Sequence, residues 1–229
     1  MERWVVNTSV AGQDTRARLI TAAERLFAER GVDGVSLNEI NRAAGQRNAS
    51  SLQYHFGDRA GLLKAVIDKH GPDVDGRRDV LLQQYRDAGQ ADLRALAGAL
   101  VLPLAAKLSD PDGGREYLRI YAELVNRPDP QFDALMNDVI GTGILTWREL
   151  VDPLLSREST EIFHTRFAAI RFTHVELAAR AAGWARADDR LFTSRLIDLV
   201  AAVLATPVSE QTTELLRQRN SRRKGEAPR

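Results

Sequence analysis

Ser36-Leu37-Asn38-Glu39-Ile40-Asn41-Arg42-Ala43-Ala44-Gly45-Gln46-Arg47-Asn48-Ala49-Ser50-Ser51-Leu52-Gln53-Tyr54-His55-Phe56 is the stretch on which the reading of this chain turns. Ser36 and Glu39 stand at the spacing of a capping box, in which hydroxyl and carboxylate satisfy each other's orphan backbone amides at a helix start. Leu37, Ile40 and Ala44 give that helix a buried face, and Gly45 ends it. A second short helix is expected from Asn48 to Phe56, with Ala49, Leu52 and Phe56 turned inward. Two short helices around a glycine turn form a helix-turn-helix. The second helix of such a unit must enter a major groove about 12 Å wide, so its outward side chains are short or polar while its inner side holds the domain. Arg47, Asn48, Ser50, Ser51, Gln53 and Tyr54 are the residues left to face a duplex. Arg47 suits guanine, and Asn48 or Gln53 suits adenine. Ser50, Ser51, Tyr54, His55 and the amides opening the next helix at Arg59 suit phosphate. Ser36, at the entrance of the first helix, is counted with this DNA-facing group, as is Ala49 among the base-reading positions.

Outward from this stretch the chain reads as helix throughout. Leu19, Ala22, Ala23, Leu26 and Phe27 make one apolar stripe of a helix starting at Thr15, which Gly31 stops. Asp58 caps a fourth helix carrying Leu62, Leu63, Val66 and Ile67, and His70-Gly71-Pro72 is expected to kink or break it. Further helices are expected over 77–88, 91–109, 114–127, 130–155, 158–183 and 188–205. The expected fold is all-α: an N-terminal three-helix bundle with a helix-turn-helix, joined to a larger C-terminal helical domain. The expected division is a loose arm over 1–14, the DNA-binding domain over 15–58, a ligand-binding and dimerisation body over 59–206, and a basic C-terminal extension over 207–229 that ends frayed.

Composition narrows the function classes. The 229 residues hold 44% hydrophobic and 28% charged side chains and no cysteine, so disulfides, thiolate metal sites and cysteine nucleophiles are out. The longest apolar run, Ala95 to Ala106, falls well short of the roughly 18 residues of a membrane span, and the N-terminus lacks a signal-peptide core. A cytoplasmic protein without membrane partner or cofactor is expected. Net charge is only +1, but residues 1–70 carry +2, residues 71–216 carry −6 and residues 217–229 carry +5. Such segregation assigns different work to different surfaces. The tail cluster Arg217, Arg219, Arg222, Arg223 and Lys224 reads as a solvated segment. Zincin, P-loop, dinucleotide and nucleophile-elbow motifs are missing, and His55, His70, His164 and His174 lack ligand spacing.

The run Thr15-Arg-Ala-Arg-Leu-Ile, Leu26-Phe27-Ala-Glu-Arg-Gly31, Ser36-Leu-x-Glu-Ile40, Ala43-Ala44-Gly45, Leu52-x-Tyr-His-Phe-Gly-Asp-Arg59 and Leu62-Leu63 resembles the TetR (tetracycline repressor) family of transcription regulators. The resemblance covers about 50 residues. It implies a three-helix DNA-binding domain, a fourth helix leading to a divergent body that binds small molecules, and dimerisation through the last two long helices. It also implies phosphate contacts at Tyr54, His55 and Arg59 and base reading over Arg47 to Ser51. Two departures stand out: one extra residue between Gly45 and Tyr54-His55-Phe56, and Gln53 where the family often has tyrosine.

In the body, Tyr117, Tyr121 and Leu124 form a stripe, and Met136, Ile140 and Trp147 face similarly along the next helix, with Gly141 and Gly143 between. Such stripes are core by default, but a sensor needs a cavity, and bulky aromatics beside glycines are a place for one. Arg171, His174 and Glu176 interrupt an apolar helix, to hold a ligand's polar end or to pair across a dimer. The small faces of 158–183 and the apolar helix 188–205 suit a four-helix interface between two subunits. The reading is a homodimeric regulator, a repressor released from operator DNA by a small hydrophobic or amphipathic effector. Its competitor is an architectural DNA binder whose body recruits a protein and senses no ligand.

Overall fold

The computed structural model describes residues 5–48, 50–127, 141–162, 165–183 and 188–225. Among them there is helix and no strand. The elements are α1 (Val5–Arg30), α2 (Leu37–Ala43), α3 (Ser51–Phe56), α4 (Arg59–Ala88), α5 (Leu93–Ala105) with a 3-10 turn at Ala106–Ser109, and α6 (Gly114–Val125). They continue with α7 (Thr142–Val151), a 3-10 turn at Asp152–Leu154, α8 (Arg157–Ile162), α9 (Thr165–Ala182), α10 (Asp189–Ala205) and α11 (Glu210–Gly225).

Two apolar cores organise them. The front core joins Leu19, Ala23 and Phe27 of α1, Ile40 of α2, Leu52 of α3 and Leu62, Leu63, Val66 and Ile67 of α4. Ile120 and Leu124 of α6 also belong to it. The second core holds Val74 and Leu82 of α4, Leu96, Leu100 and Leu104 of α5, Tyr117 and Leu118 of α6, Trp147 of α7, Leu177 of α9 and Leu196 and Val200 of α10. Thus α4 passes from one core to the other between Ile67 and Val74, and α6 lies along both.

Three expectations are corrected. Helix α1 begins at Val5, not Thr15, because a packed helix extends backwards at little cost once its nucleus exists. Helix α4 does not break at His70-Gly71-Pro72 but runs continuously to Ala88, capped by Asp58 at one end and by Gly89 in the left-handed region at the other. Pro72 is exposed and so is Asp68, four residues earlier, so the carbonyl the ring displaces lies at the surface; Ile67, His70, Val74 and Arg78 stay buried on the opposite side. The C-terminal extension is a helix as well. Leu216 is buried and Asn220 Nδ2 lies 3.5 Å from Glu161 of α8, and these two contacts help dock α11.

A buried ionic cluster clamps the cores together. Glu24 of α1 accepts from Lys69 Nζ at 2.9 Å and from His70 Nε2 at 2.9 Å. Lys69 also reaches Asp112, and Lys107 binds Asp73 and Asp110 at 2.8 and 2.9 Å. The Lys107 ammonium holds the carboxyls of both Asp73 and Asp110 below their ordinary range.

Candidate nucleic-acid interface and body cavity

Local bonds set the geometry of the helix-turn-helix. Ser36 caps α2: Glu39 N–H donates to Ser36 Oγ at 3.3 Å, and Ser36 N–H and Oγ–H both donate to Glu39 Oε2 at 2.8 Å. The Ser36 backbone N–H, and then Arg30 Nη1 at 2.8 Å, hold the Glu39 carboxyl down at about 2. Gly45 takes φ +69°, which a side chain would strain. The extra residue of the turn is absorbed around Asn48, whose Oδ1 accepts from Ser50 N–H at 3.0 Å and Ser50 Oγ–H at 2.7 Å. Helix α3 therefore starts at Ser51, three residues later than expected, and Arg47, Asn48 and Ser50 lie on its approach turn.

Leu52 anchors α3 in the front core, while Gln53 and Tyr54 point into solvent, Tyr54 with 86% of its surface open. Arg47, Asn48 and Ser50 are exposed, and Ser51, His55 and Phe56 are half-buried. His55 packs edge-on against Tyr54 with ring centroids 5.1 Å apart. Ala49 lies outside the described residues. Two donors already occupy Asn48 Oδ1, so the exposed Gln53 keeps the freer of the two carboxamides. Arg59 is corrected: its guanidinium donates to the Val32 carbonyl and, at 2.7 Å, to the Val35 carbonyl, so it braces the α1–α2 turn and is not a free phosphate ligand. Ser36 likewise spends its hydroxyl inside the capping box.

The body encloses a cavity of about 320 Å³ between α4, α6, α7 and α9. Tyr117, Tyr121, Leu124, Arg171 and His174 line it, so five of the eight residues singled out in the sequence are brought together. Met136 and Ile140 lie outside the described residues. Trp147 is corrected: it is sealed in the core, and its Nε1–H donates to the Leu96 carbonyl at 2.7 Å. The sequence reading missed Gly71, Asp75 and Arg78 of α4, Arg148 of α7 and Phe167 of α9, all of which line the cavity. A signal existed for Arg78, which stands on the stripe Val74, Arg78, Leu82, an arginine at core spacing.

Aromatic rings build one wall. His70, Tyr117, Tyr121 and His174 follow one another with centroids 4.7, 5.5 and 4.9 Å apart, the last pair stacked. His174 Nδ1–H donates to the Ile170 carbonyl at 2.8 Å, and burial lowers its pKa to about 4, so the ring is neutral near pH 7. Burial pushes the Tyr117 and Tyr121 phenols up. Arg78 is buried and donates through Nη1 to Asp75 Oδ1 at 2.6 Å, while burial raises the Asp75 carboxyl. Gly141 makes room for that pair, since a Cβ there would sit 1.3 Å from Asp75 Oδ2.

Known proteins share both halves of this arrangement. The family model described as bacterial regulatory proteins, tetR family, matches residues 19–66. Over 64 residues the chain is 39% identical to the HTH-type transcriptional regulator TtgR of Pseudomonas putida, covering 28% of this chain and 30% of that protein. It is 36% identical over 59 residues to AcrR of Shigella flexneri, covering 26% and 27%. The chain thus aligns to under a third of the length of these curated relatives. The fold extends much further: a TetR-family transcriptional regulator from Mesorhizobium loti superposes with TM-score 0.50 at 16% identity over 84% of this chain and 96% of that one. The hemolysin II transcriptional regulator HlyIIR gives 0.52 at 18% identity over 86% and 99%. Residues 19–66 thus carry the helix-turn-helix of the tetR-family model, and the helical body behind them is arranged as in those solved structures.

Proposed function

We propose that this protein is a sequence-specific DNA-binding transcriptional regulator, a homodimeric repressor that leaves its operator when a small molecule fills the body cavity. The observation that carries the reading is the pairing of an open recognition surface with a cavity through shared helices. Arg47 and Ser50 of the turn and Gln53 and Tyr54 of α3 form the open surface. Helix α4 supplies Leu62 to Ile67 to the front core and Gly71, Val74, Asp75 and Arg78 to the cavity wall. Helix α6 supplies Tyr117, Tyr121 and Val125 to the cavity, and its Glu123 carboxylate accepts the Val32 N–H at 3.1 Å. Arg127, just past α6, bonds Asp33 in the same turn.

A ligand that alters the spacing of α4 and α6 therefore displaces the recognition surface. It acts only so far as it binds one arrangement better than the other, and each tenfold preference shifts the equilibrium by about 1.4 kcal/mol. In this reading the helix-turn-helix of one chain supplies half of a two-fold site, with the partner one helical turn away. Ala168, Val175, Ala179 and Ala182 along one exposed side of α9, with Leu191 of α10 at 68% exposure, supply the small and apolar face that such a dimer buries. The cavity favours a ligand-sensing body over one that only recruits a protein.

Fluorescence-anisotropy titration tests the reading with a fragment from upstream of the protein's own gene and a scrambled fragment, each at two salt concentrations. A preference of at least about a thousandfold for one site, with affinity falling as salt rises, is the expected result. If selection from random sequences also yields no preferred site, the regulator reading is wrong.

A further inference from the structure

We propose that the small molecule bound in the body cavity is an anion on a flat apolar frame, in its simplest form an aromatic carboxylate, held through Arg78 and Arg148 beside Tyr121 and Phe167. The proposal rests on the effector reading above and names the chemistry of that effector.

The charge of the lining points this way. Three guanidinium groups, Arg78, Arg148 and Arg171, meet a single carboxylate, Asp75, among the described residues around the cavity. Asp75 is already spent on Arg78 Nη1. Arg78 is only 4% exposed, yet its Nε is buried with no hydrogen-bond partner among the described residues. The Nε of Arg148 is in the same state. Arg148 lies over the Phe167 ring at 5.3 Å, and no carboxylate among the described residues forms an ion pair with it. The nearby Asp152 is taken by Arg166. A buried guanidinium with unmet donors is costly unless an acceptor arrives. A carboxylate is a flat, charged acceptor that matches the guanidinium fork. A neutral ligand brings no charge to offset the guanidiniums, and a cationic one would add to the excess positive charge.

The rest of the cavity selects the frame. Tyr117, Tyr121 and Phe167 offer ring faces and edges, and about 320 Å³ lies near the small end of the range for ligand pockets. His174, neutral near pH 7 with Nδ1–H tied to Ile170, adds no positive charge of its own.

Titration calorimetry on the full chain with 2-naphthoate, 2-naphthamide and 2-naphthylmethylamine at pH 7.5 tests the proposal. One naphthoate per chain should bind about 10- to 100-fold more tightly than the amide, the spread expected for hydrogen bonds to a charged group, and the amine should bind weakest. No carboxylate among the described residues is bonded to Arg148, so the folding of Arg148→Gln is checked simply by its melting curve. It should bring naphthoate to within about threefold of the amide while leaving the amide where it was, whereas Arg86→Gln on the exposed end of α4 should change neither. Equal binding of acid and amide by the unmodified protein, or tighter binding of the amine, overturns the anion and leaves the effector cavity standing. Failure of all three to bind overturns both, and operator binding by the same preparation shows whether the DNA-binding reading survives.

Discussion

The front domain and the body are both helical, yet they hold their shape by different means. In the front, six- and seven-residue helices are too short to persist alone, so each has a local device: the Ser36–Glu39 box, the left-handed Gly45, the Asn48 turn and the Arg59 brace. In the body, α6, α9 and α10, of 12, 18 and 17 residues, are held by apolar burial, and the polar groups Arg78, Arg148 and His174 border a cavity. On the proposed function this difference follows: a surface held fixed for DNA is closed with specified bonds, and a body that admits a ligand leaves room and unmet donors.

The largest test of that contrast removes one large side chain from each core. Phe27 is 1% exposed and Trp147 fully buried, so replacing either with alanine should cost about 3–5 kcal/mol. Phe27→Ala should abolish operator binding at temperatures where the body still binds its ligand. Trp147→Ala, which also orphans the Leu96 carbonyl, should lose ligand binding first. Calorimetric melting with parallel DNA and ligand titrations checks both, and identical loss of the two activities in both variants would erase the distinction between the cores.

Acid should then act on the body through His174. Its pKa drops from 6.5 in the unfolded chain to about 4 in the fold, because burial disfavours the charged ring and the charge of Arg78 disfavours it further. Below pH 6.5 the unfolded state takes up a proton that the folded state refuses. The stability present above pH 6.5 is therefore lost progressively as pH falls to about 4, by up to about 3 kcal/mol, and no further below. Denaturation curves of His174→Phe should show that slope flattened between pH 6.5 and 4. A slope unchanged from the unmodified protein would place the acid sensitivity elsewhere.

On the open surface the expected effects are smaller and fall on DNA instead of stability. Arg47→Ala should cost about 1–3 kcal/mol of binding, chiefly at one base pair. Tyr54→Phe should weaken binding on all sequences alike. Neither variant should shift the melting temperature, since Arg47 is exposed and Tyr54, with 86% of its surface open, keeps its ring beside His55 in the phenylalanine variant. Equal loss on every sequence for Arg47→Ala would make it a phosphate contact.

How much of this was legible in the sequence follows from the same contrast. The capping box, Gly31, Gly45 and the inward Leu52 could be read because the bonds that fix them lie within a few residues. The run through Pro72 could not, because what overrides the proline is burial on both sides of it by α5 and α6. Helix α11 carries one buried apolar residue among its described ones, Leu216, too little for any periodicity to show. The aromatic wall of the cavity appeared as a stripe on α6, but Arg78 and Arg148 come from α4 and α7 and meet it only in the folded chain. Trp147 looked like a cavity residue by spacing, and the rotation of α7 against Leu96 turned it into the core.

Ser36 gives the smallest and sharpest test, because it stands where the two kinds of effect meet. Its hydroxyl caps α2, so Ser36→Ala should cost about 1 kcal/mol of stability. The substitution leaves the backbone N–H that is the main cause of the low Glu39 pKa, and removes only the weaker hydroxyl contribution. Glu39 is lowered in the fold from 4.5 to about 2, so its stabilising effect is full above pH 4.5 and disappears as pH falls through about 2. Ser36→Ala should narrow that acid window slightly, and Glu39→Gln should abolish it, both read by acid titration of circular dichroism. Well below the melting temperature, operator affinity should be unchanged by Ser36→Ala if the hydroxyl serves only the cap. A uniform drop on operator and scrambled DNA alike would show that the same hydroxyl also reaches a phosphate. The boundary between scaffold and interface would then run through the capping box.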